Sequence, residues 1–497
     1  DRQVLGIHRG GYDPFSFDIT EAVAGKRDHE ILVAVRDPTS EGIQPRGKQV
    51  LHPHGIWYTP CSGIWQDVWV EMVPDTYVES LRLYGDPVES TATATVMLGE
   101  TGSARATVFV EIVEGGEVVA VGKGEPSRLL RVEMPHGPRP WSAEDPFLYE
   151  VRIRVEPFDG HGAAASLCDR VSSYIGFRRV EVRTVKGIPR IFLNGSPVFL
   201  LGFLDQGYWP DGIYTPASDD ALEFDISLAK SLGANTLRKH VKVECEKFYH
   251  LCDRLGMLVL QDFPSGTFGH TEEGRKIFRR EVGAHLGARY NHPSIVGWVI
   301  FNEGWGQHDT CKLVDWVRRL DPTRLVVGAS GWVDRGCGDL ADLHIYPGLG
   351  KLGKIPLSRV PDIWFGIDEE SAKKQAELGI AEIPNKSLRP LIFGEFGGLG
   401  LEVAGHSWEG AAFSYKPTNS RQDLTAQYVA LLGEISEAAE RGLSGAIYTQ
   451  LADVEGEHNG VITYDREVVK VSVPEARRAA EQVVRMGLDR IGEELDP

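Results

Sequence analysis

From about residue 187 onward the chain repeats one pattern: a short, wholly apolar run followed by a longer stretch of helical periodicity. A run with no polar face is a strand buried on both sides, which means a parallel sheet covered by helices. Val198-Phe-Leu-Leu-Gly202, Ala234-Asn-Thr-Leu-Arg238 and Met257-Leu-Val-Leu-Gln-Asp262 read as the first three strands. Between them, Ser218 reads as a helix N-cap, with Asp219 and Asp220 at the positive end of the helix dipole and Gly233 as the stop. In the next helix, Glu244 to Leu255, Phe248, Leu251, Cys252 and Leu255 form one buried stripe. The fourth strand starts at Ile295, the fifth is Leu325 to Ser330, and the sixth is Ala341 to Tyr346. The seventh starts at Pro390 and the eighth is Gly445 to Gln450. Eight such units predict a (β/α)8 barrel. The longest insertion, 347–389, is expected to overhang its mouth.

Two of these strands run into an acid. The fourth ends Trp298-Val-Ile-Phe-Asn-Glu303-Gly-Trp-Gly, and the seventh ends Leu391-Ile-Phe-Gly-Glu395-Phe-Gly-Gly. A carboxylate closing a buried strand is costly unless it faces an open, loop-lined mouth. In an α/β barrel that mouth, at the strand C-termini, is where active sites form. Two carboxylates converging there from different strands are what glycosidic bond cleavage requires, one as proton donor and one as nucleophile or base.

The first 180 residues differ. Ile31 to Arg36, Ala106 to Ile112 and Leu148 to Val155 alternate polar and apolar residues between Gly, Pro and Asp, the mark of antiparallel sandwiches. Pro74-Asp75 divides this half into two β modules. The expected domains are therefore 1–74, 75–182 and 183–497. A net charge of -18 argues against nucleic-acid and anionic-membrane partners, and no run of 18 apolar residues occurs. Six cysteines in 497 residues, without CxxC spacing, predict reduced thiols and lean towards a cytoplasmic setting. No GxGxxG, GxxxxGK[ST] or HExxH motif suggests a nucleotide or zinc, so no cofactor is expected. Glu244 and His240 are the residues to consider for magnesium, although a sugar site does not need a metal.

Several ordered motifs resemble glycoside hydrolase family 2. Gly10-Gly-Tyr-Asp-Pro-Phe-Ser-Phe-Asp-Ile-Thr20 and Ser62-Gly-Ile-Trp-Gln-Asp-Val-Trp-Val-Glu71 resemble its jelly-roll signatures. Ile175-Gly-Phe-Arg-Arg-Val-Glu181, followed by Leu193-Asn-Gly-Ser-Pro197, resembles the approach to its barrel. The resemblance spans essentially the whole chain. It implies a partial jelly roll that starts within that domain, an immunoglobulin-like sandwich and a catalytic (β/α)8 TIM barrel. It implies Glu303 as acid/base, Glu395 as nucleophile and a retaining mechanism, with the β-galactosidase branch as the nearest likeness. The glucuronidase branch carries an Asn-x-Lys motif. The corresponding stretch here, Asp453-Val-Glu-Gly-Glu-His-Asn-Gly460, has no lysine, which argues for a neutral sugar.

Around the two glutamates, the resemblance implies that Asn302 bonds the sugar 2-hydroxyl and that Tyr346 orients Glu395. Arg238 is placed to pair with Glu395 and lower its pKa. His240 and His344 are expected to line the pocket, Asp205 and Asp262 to bind hydroxyls, and Asp453 and Glu455 to close the rim. Trp209, Trp305, Trp332 and Tyr448 are candidate platforms for sugar rings. The expected activity is exo-cleavage of a terminal β-galactoside. A β-mannoside, β-xyloside or α-L-arabinoside is the alternative within the same chemistry, and an inactive carbohydrate-binding protein is the alternative from another class. A carbohydrate is the expected partner, and a homo-oligomer is left open.

Overall fold

The computed structural model describes residues 3–25, 27–100, 106–157, 169–266, 268–348 and 389–495. Most of the 347–389 insertion, with Lys351, Lys354 and Lys386, lies outside them, as does Cys168.

Seven strands build a sandwich: β1 (Thr76–Asp86), β2 (Thr91–Glu100), β3 (Ala106–Glu114), β4 (Glu117–Gly124), β5 (Leu130–Glu133), β6 (Tyr149–Pro157) and β7 (Asp169–Ile175). Antiparallel sheets β1-β2-β5 and β4-β3-β6-β7 face each other. Alternation explains the core between them: in β3, Val108, Val110 and Ile112 point inward beside Val151 and Ile153 of β6, and pack with Leu83, Ala94 and Val96 of the other sheet. A smaller sheet of β8 (Val180–Val185), β9 (Ile188–Leu193) and β10 (Ser196–Pro197) leads on. The sandwich is tied down by polar anchors. The buried Arg178 guanidinium donates to the carbonyls of Pro293, Thr323 and Ile295, and the Trp141 indole donates to Asp253 O.

The barrel strands are β11 (Leu200–Asp205), β12 (Thr236–Lys239), β13 (Leu258–Asp262), β14 (Ile295–Val299), β15 (Leu325–Val327), β16 (Ala341–Ile345), β17 (Leu391–Gly397) and β20 (Leu443–Thr449). A short pair, β18 (Leu399–Gly400) and β19 (Lys416–Pro417), sits between the last two. All eight are parallel in the order β15-β14-β13-β12-β11-β20-β17-β16, so the expected TIM barrel is present. Every residue of β11, β13, β14, β16, β17 and β20 is buried, as a sheet covered on both faces requires. Ser218 caps the helix Asp219–Ser231, its side chain accepting from Ala221 N. The next helix starts at Glu246 rather than Glu244, because the Glu244 carboxylate is held by Lys239 and Lys242.

Two expectations fail. Residues 31–36 form no strand, and Ile31, Leu32, Val33 and Val35 are exposed. Among the described residues of 3–74 only a four-residue helix, a 3-10 turn and isolated bridges occur, so no jelly-roll sheet is seen. An alternating pattern makes a strand only where a partner ladder lies alongside. The cysteines are not all reduced either: Cys311 and Cys337 are joined, with Cα atoms 5.5 Å apart, while Cys61, Cys245 and Cys252 are free. That pairing removes the cysteine-based argument for a cytoplasmic setting.

Candidate active site

Glu395 owes its aim to a bulge. The β16–β17 register runs Leu343 to Phe393 and then His344 to Glu395, leaving Gly394 as the extra residue. Only glycine fits there, since a Cβ on Gly394 would fall 2.2 Å from Asp342 Oδ1. The bulge sets Glu395 beside His344 and turns the Gly394 carbonyl toward Arg238 Nη1, 3.1 Å away. Glu303 lies four residues beyond β14, with a left-handed backbone at φ 50°, a conformation that costs a non-glycine residue and is common at functional sites. Its N–H donates to Ser330 O at 2.7 Å, which fastens the loop to the residues after β15.

The two carboxylates meet around one imidazole. His344 Nδ1 is 2.7 Å from Glu303 Oε1 and 3.5 Å from Glu395 Oε2. An oxygen of Glu303 and one of Glu395 lie within 4.8 Å of each other. Tyr346 donates to Glu395 Oε2 at 2.5 Å and touches Thr449 Oγ1 at 2.9 Å. Arg238, fully buried, donates to Glu395 Oε1 at 3.1 Å, to Asn302 Oδ1 at 2.8 Å and with a two-pronged grip to Asp262 at 3.0 and 2.8 Å. Burial pushes the Glu395 carboxyl up, but His344, His240, Arg238 and the Tyr346 hydroxyl outweigh it and hold its pKa at about 2. His240 stands 3.9 Å from Glu395 and bonds Asp262 through Nδ1 at 3.1 Å. Burial, then the charge of Lys48, pushes its pKa well below the usual histidine value, so His240 is neutral at ordinary pH. Arg238 is the permanent cation beside Glu395, 3.1 Å from Oε1.

Glu303, Glu395, Asn302, Tyr346, Arg238, His240 and His344 are thus brought together as expected. Other candidates are not. Asp262 is consumed by Arg238, His240 and the Val241 N–H, leaving it nothing to offer a hydroxyl. Asp205 is paired with Lys239 Nζ at 2.6 Å, and Asp453 with Lys470 Nζ at 2.7 and 2.9 Å. Asp453 is therefore a buried ion pair rather than a rim residue, and Glu455 accepts from Thr59 N. Trp209 is buried beneath the Arg466 guanidinium. Tyr448 is buried among Phe203, Phe396 and Tyr428. Neither can carry a sugar ring. Trp332, 38% exposed, and Trp305, half-buried against Trp57 at 4.9 Å, retain ring surface that a sugar could reach. Glu244 lies between the ammoniums of Lys239 and Lys242, which supply the positive charge that a magnesium ion would bring there. Glu303, His344 and Glu395 also bring three donor atoms within metal-binding range. The Arg238 guanidinium already serves the negative charge of Glu395.

Residues that the sequence did not single out come from two places. Tyr415, just before β19, stacks on Tyr346 with ring centroids 3.7 Å apart and planes 5° apart. The segment 46–59 docks on the barrel mouth. Gly47 N donates to Ser265 O, and a Cβ on Gly47 would fall 2.6 Å from the Val241 carbonyl oxygen. This delivers Lys48 beside His240. Lys48 Nζ is 3.4 Å from Tyr58 OH and 3.9 Å from Glu457, to which Tyr58 donates. A lysine and a tyrosine in a loop carry no periodic signal, so nothing in the sequence marked them.

Comparison with known proteins places this geometry. Residues 188–466 match the family model described as "Glycosyl hydrolases family 2, TIM barrel domain". A β-galactosidase of Thermoanaerobacter pseudethanolicus is 27% identical over 65% of this chain and 43% of its own length. A β-glucuronidase of Paenibacillus borealis is 26% identical over 64% of this chain and 56% of its own. The chain thus spans about half the length of these curated relatives. A solved β-galacturonidase of Eisenbergiella tayi has the same fold, with a TM-score of 0.59, 21% identity, and coverage of 82% of this chain and 73% of that one. With the family model matching more than half the chain, across both glutamates and the strands that carry them, the protein belongs to glycosyl hydrolase family 2.

Proposed function

We propose that the protein is a retaining exo-β-glycosidase working by double displacement, with Glu395 as nucleophile and Glu303 as acid/base. The observation that carries this is the pairing of an ionised Glu395 with a second carboxylate whose oxygen lies within 4.8 Å. Carboxyl groups about 5–5.5 Å apart suit a covalent glycosyl-enzyme, whereas inversion needs about 6.5–9.5 Å for an intervening water. Glu395 attacks the anomeric carbon while Glu303 gives its proton to the leaving oxygen. Glu303 then deprotonates the water that releases the sugar. Arg238 holds Asn302 by its carbonyl oxygen, which leaves the amide N–H2 for the sugar 2-hydroxyl. Changing Glu395→Gln abolishes turnover of every glycoside. Glu303→Ala spares substrates with good leaving groups and is rescued by azide.

For the sugar, a neutral β-galactoside is the first assignment, supported by β-galactosidase names among the relatives and by the lysine-free 453–460 stretch. Asp205, Asp262 and Asp453 do not bear on the choice, because each is neutralised by an internal cation. The buried Lys48, whose charge is felt at His240, favours a second assignment, a uronoside, and β-glucuronidase names also occur among the relatives. The kcat/KM ratio for nitrophenyl β-galactoside and β-glucuronide decides between them, and Lys48→Met collapses the glucuronide rate if the second is right.

The strand order of the 75–182 sandwich, three strands against four with β3 and β6 central, supports an immunoglobulin-like module followed by a catalytic unit over 183–497. The assignment of 1–74 to a jelly-roll module rests on its sequence signatures alone.

A further inference from the structure

His344 is placed as more than a lining residue. Its ring is clamped. Ser330 Oγ lies 2.8 Å from Nε2, and a Cβ on Gly331 would fall 2.8 Å from Nδ1, so the imidazole lies flat on that glycine. Nδ1 points between the two carboxylates and lies nearer Glu303. Ser330 Oγ, whose hydroxyl is directed to Asp342, is placed to accept a proton from Nε2; with Nε2 so engaged, a proton on Nδ1 is a second one and lies on the 2.7 Å line to Glu303 Oε1. We propose that Glu303 and His344 hold this proton in common, and that His344 is the positioning residue that stores it for the acid/base between the two half-reactions.

Protons and charges balance over the cycle. Resting enzyme holds imidazolium, Glu303 carboxylate and Glu395 carboxylate. In the first step the Nδ1 proton passes to Glu303 Oε1 and on to the leaving oxygen as its bond to the anomeric carbon breaks and a Glu395 oxygen bonds that carbon. The glycosyl-enzyme then holds neutral His344, Glu303 carboxylate and an esterified Glu395. In the second step water attacks the anomeric carbon, its proton goes to Glu303 and returns to Nδ1, and Glu395 leaves as carboxylate. The surroundings suit this cycle. Glu303, Glu395 and Arg238 face the ring directly, and Asp262, Asp342 and the neutral His240 lie close by. Burial alone disfavours the imidazolium, but Glu395 and Glu303 outweigh it and raise the His344 pKa. When Glu395 becomes a neutral ester, its part of that support vanishes, so the histidine is poised to stay neutral until the sugar is released.

This rests on the double-displacement assignment, which Glu395→Gln tests separately: if that variant keeps turnover, the assignment itself is wrong, whatever His344 does. The proton store is tested with His344→Gln and Ser330→Ala, using phenyl and 2,4-dinitrophenyl glycosides of the sugar that wild type turns over best. General acid catalysis contributes roughly 10²–10⁴-fold. His344→Gln should therefore lose on the order of 100-fold on the phenyl glycoside but little on the dinitrophenyl one. The basic limb of its kcat/KM profile should move at least one pH unit lower, because Glu303 must then keep the proton alone. Ser330→Ala should move the same limb in the same direction by less. Equal losses on both glycosides with unmoved limbs would overturn the proposal. Should His344→Gln fail to fold, an unmoved limb in Ser330→Ala overturns it by itself.

Discussion

Tyr346→Phe isolates one contact to Glu395, the proposed nucleophile. The phenol donates to Glu395 Oε2 at 2.5 Å, in a buried site where the ring is held by its stack on Tyr415. Phenylalanine keeps that stack and removes the donor, and the Arg238 bond to Oε1 remains. A hydrogen bond to a charged group contributes about 1.5–3 kcal/mol. It holds the attacking oxygen in line through the transition state, where the carboxylate still carries much of its charge. At 1.36 kcal/mol per factor of ten, the expected fall in kcat/KM is about 10- to 150-fold. The same energy acts on ionisation. Glu395 sits at about 2 in the folded protein, so wild type has no acidic limb from this group at working pH. Without the phenol its pKa rises by about one to two units toward the ordinary carboxylate value, and an acidic limb enters the profile. The assay is kcat/KM against pH from 3.5 to 8, with thermal unfolding as a check that the fold survives. An unchanged rate with no new acidic limb would refute the claim that Tyr346 keeps Glu395 ionised.

Three further outcomes are expected. Arg238→Met leaves Asp262 buried without its cation, and breaking a buried pair costs about 3–5 kcal/mol, so Tm should fall by several degrees and activity should vanish. His292, buried, is opposed by that burial, but Asp253 at 2.6 Å and Glu246 at 3.0 Å outweigh it and raise its pKa to about 9. A raised histidine stabilises fully below its unfolded value near 6.5. The gain, at most about 3 kcal/mol, is lost between about pH 6.5 and 9, which urea unfolding across that range should show and His292→Gln should remove. Cys311→Ser opens a link across a sequence separation of 26 residues, worth about 3 kcal/mol by loop entropy; intact-mass analysis should first show two hydrogens fewer in the untreated protein than after reduction, and equal masses would refute the bond.

Short-range pattern was enough to read the barrel and its two acids from the chain alone. Apolar runs without a polar face had to be strands of a covered parallel sheet, and eight of them had to be arranged as a barrel. An acid at the end of such a run had to face the open mouth, which is why Glu303 and Glu395 were identifiable. Arg238, next to last in β12, was identifiable for the same reason, whereas Tyr346, one residue beyond β16, was read from the family resemblance. The Ser218 cap is equally local, made within three residues. The partner of each polar group, by contrast, was settled by folding. Asp205, Asp262 and Asp453 look like free acids in one dimension; a lysine or arginine on a neighbouring strand or a returning loop makes each an internal ion pair. Trp209 and Tyr448 have the composition of platforms, but their surroundings bury them. Lys48 and Tyr58 reach a site whose other members lie far along the chain, Tyr58 and Glu457 being 399 residues apart. Periodicity reports which side of an element is apolar. It carries no information on what is folded against the polar side, and at this site that is what separates the residues gathered round Glu303 and Glu395 from those that hold the barrel together.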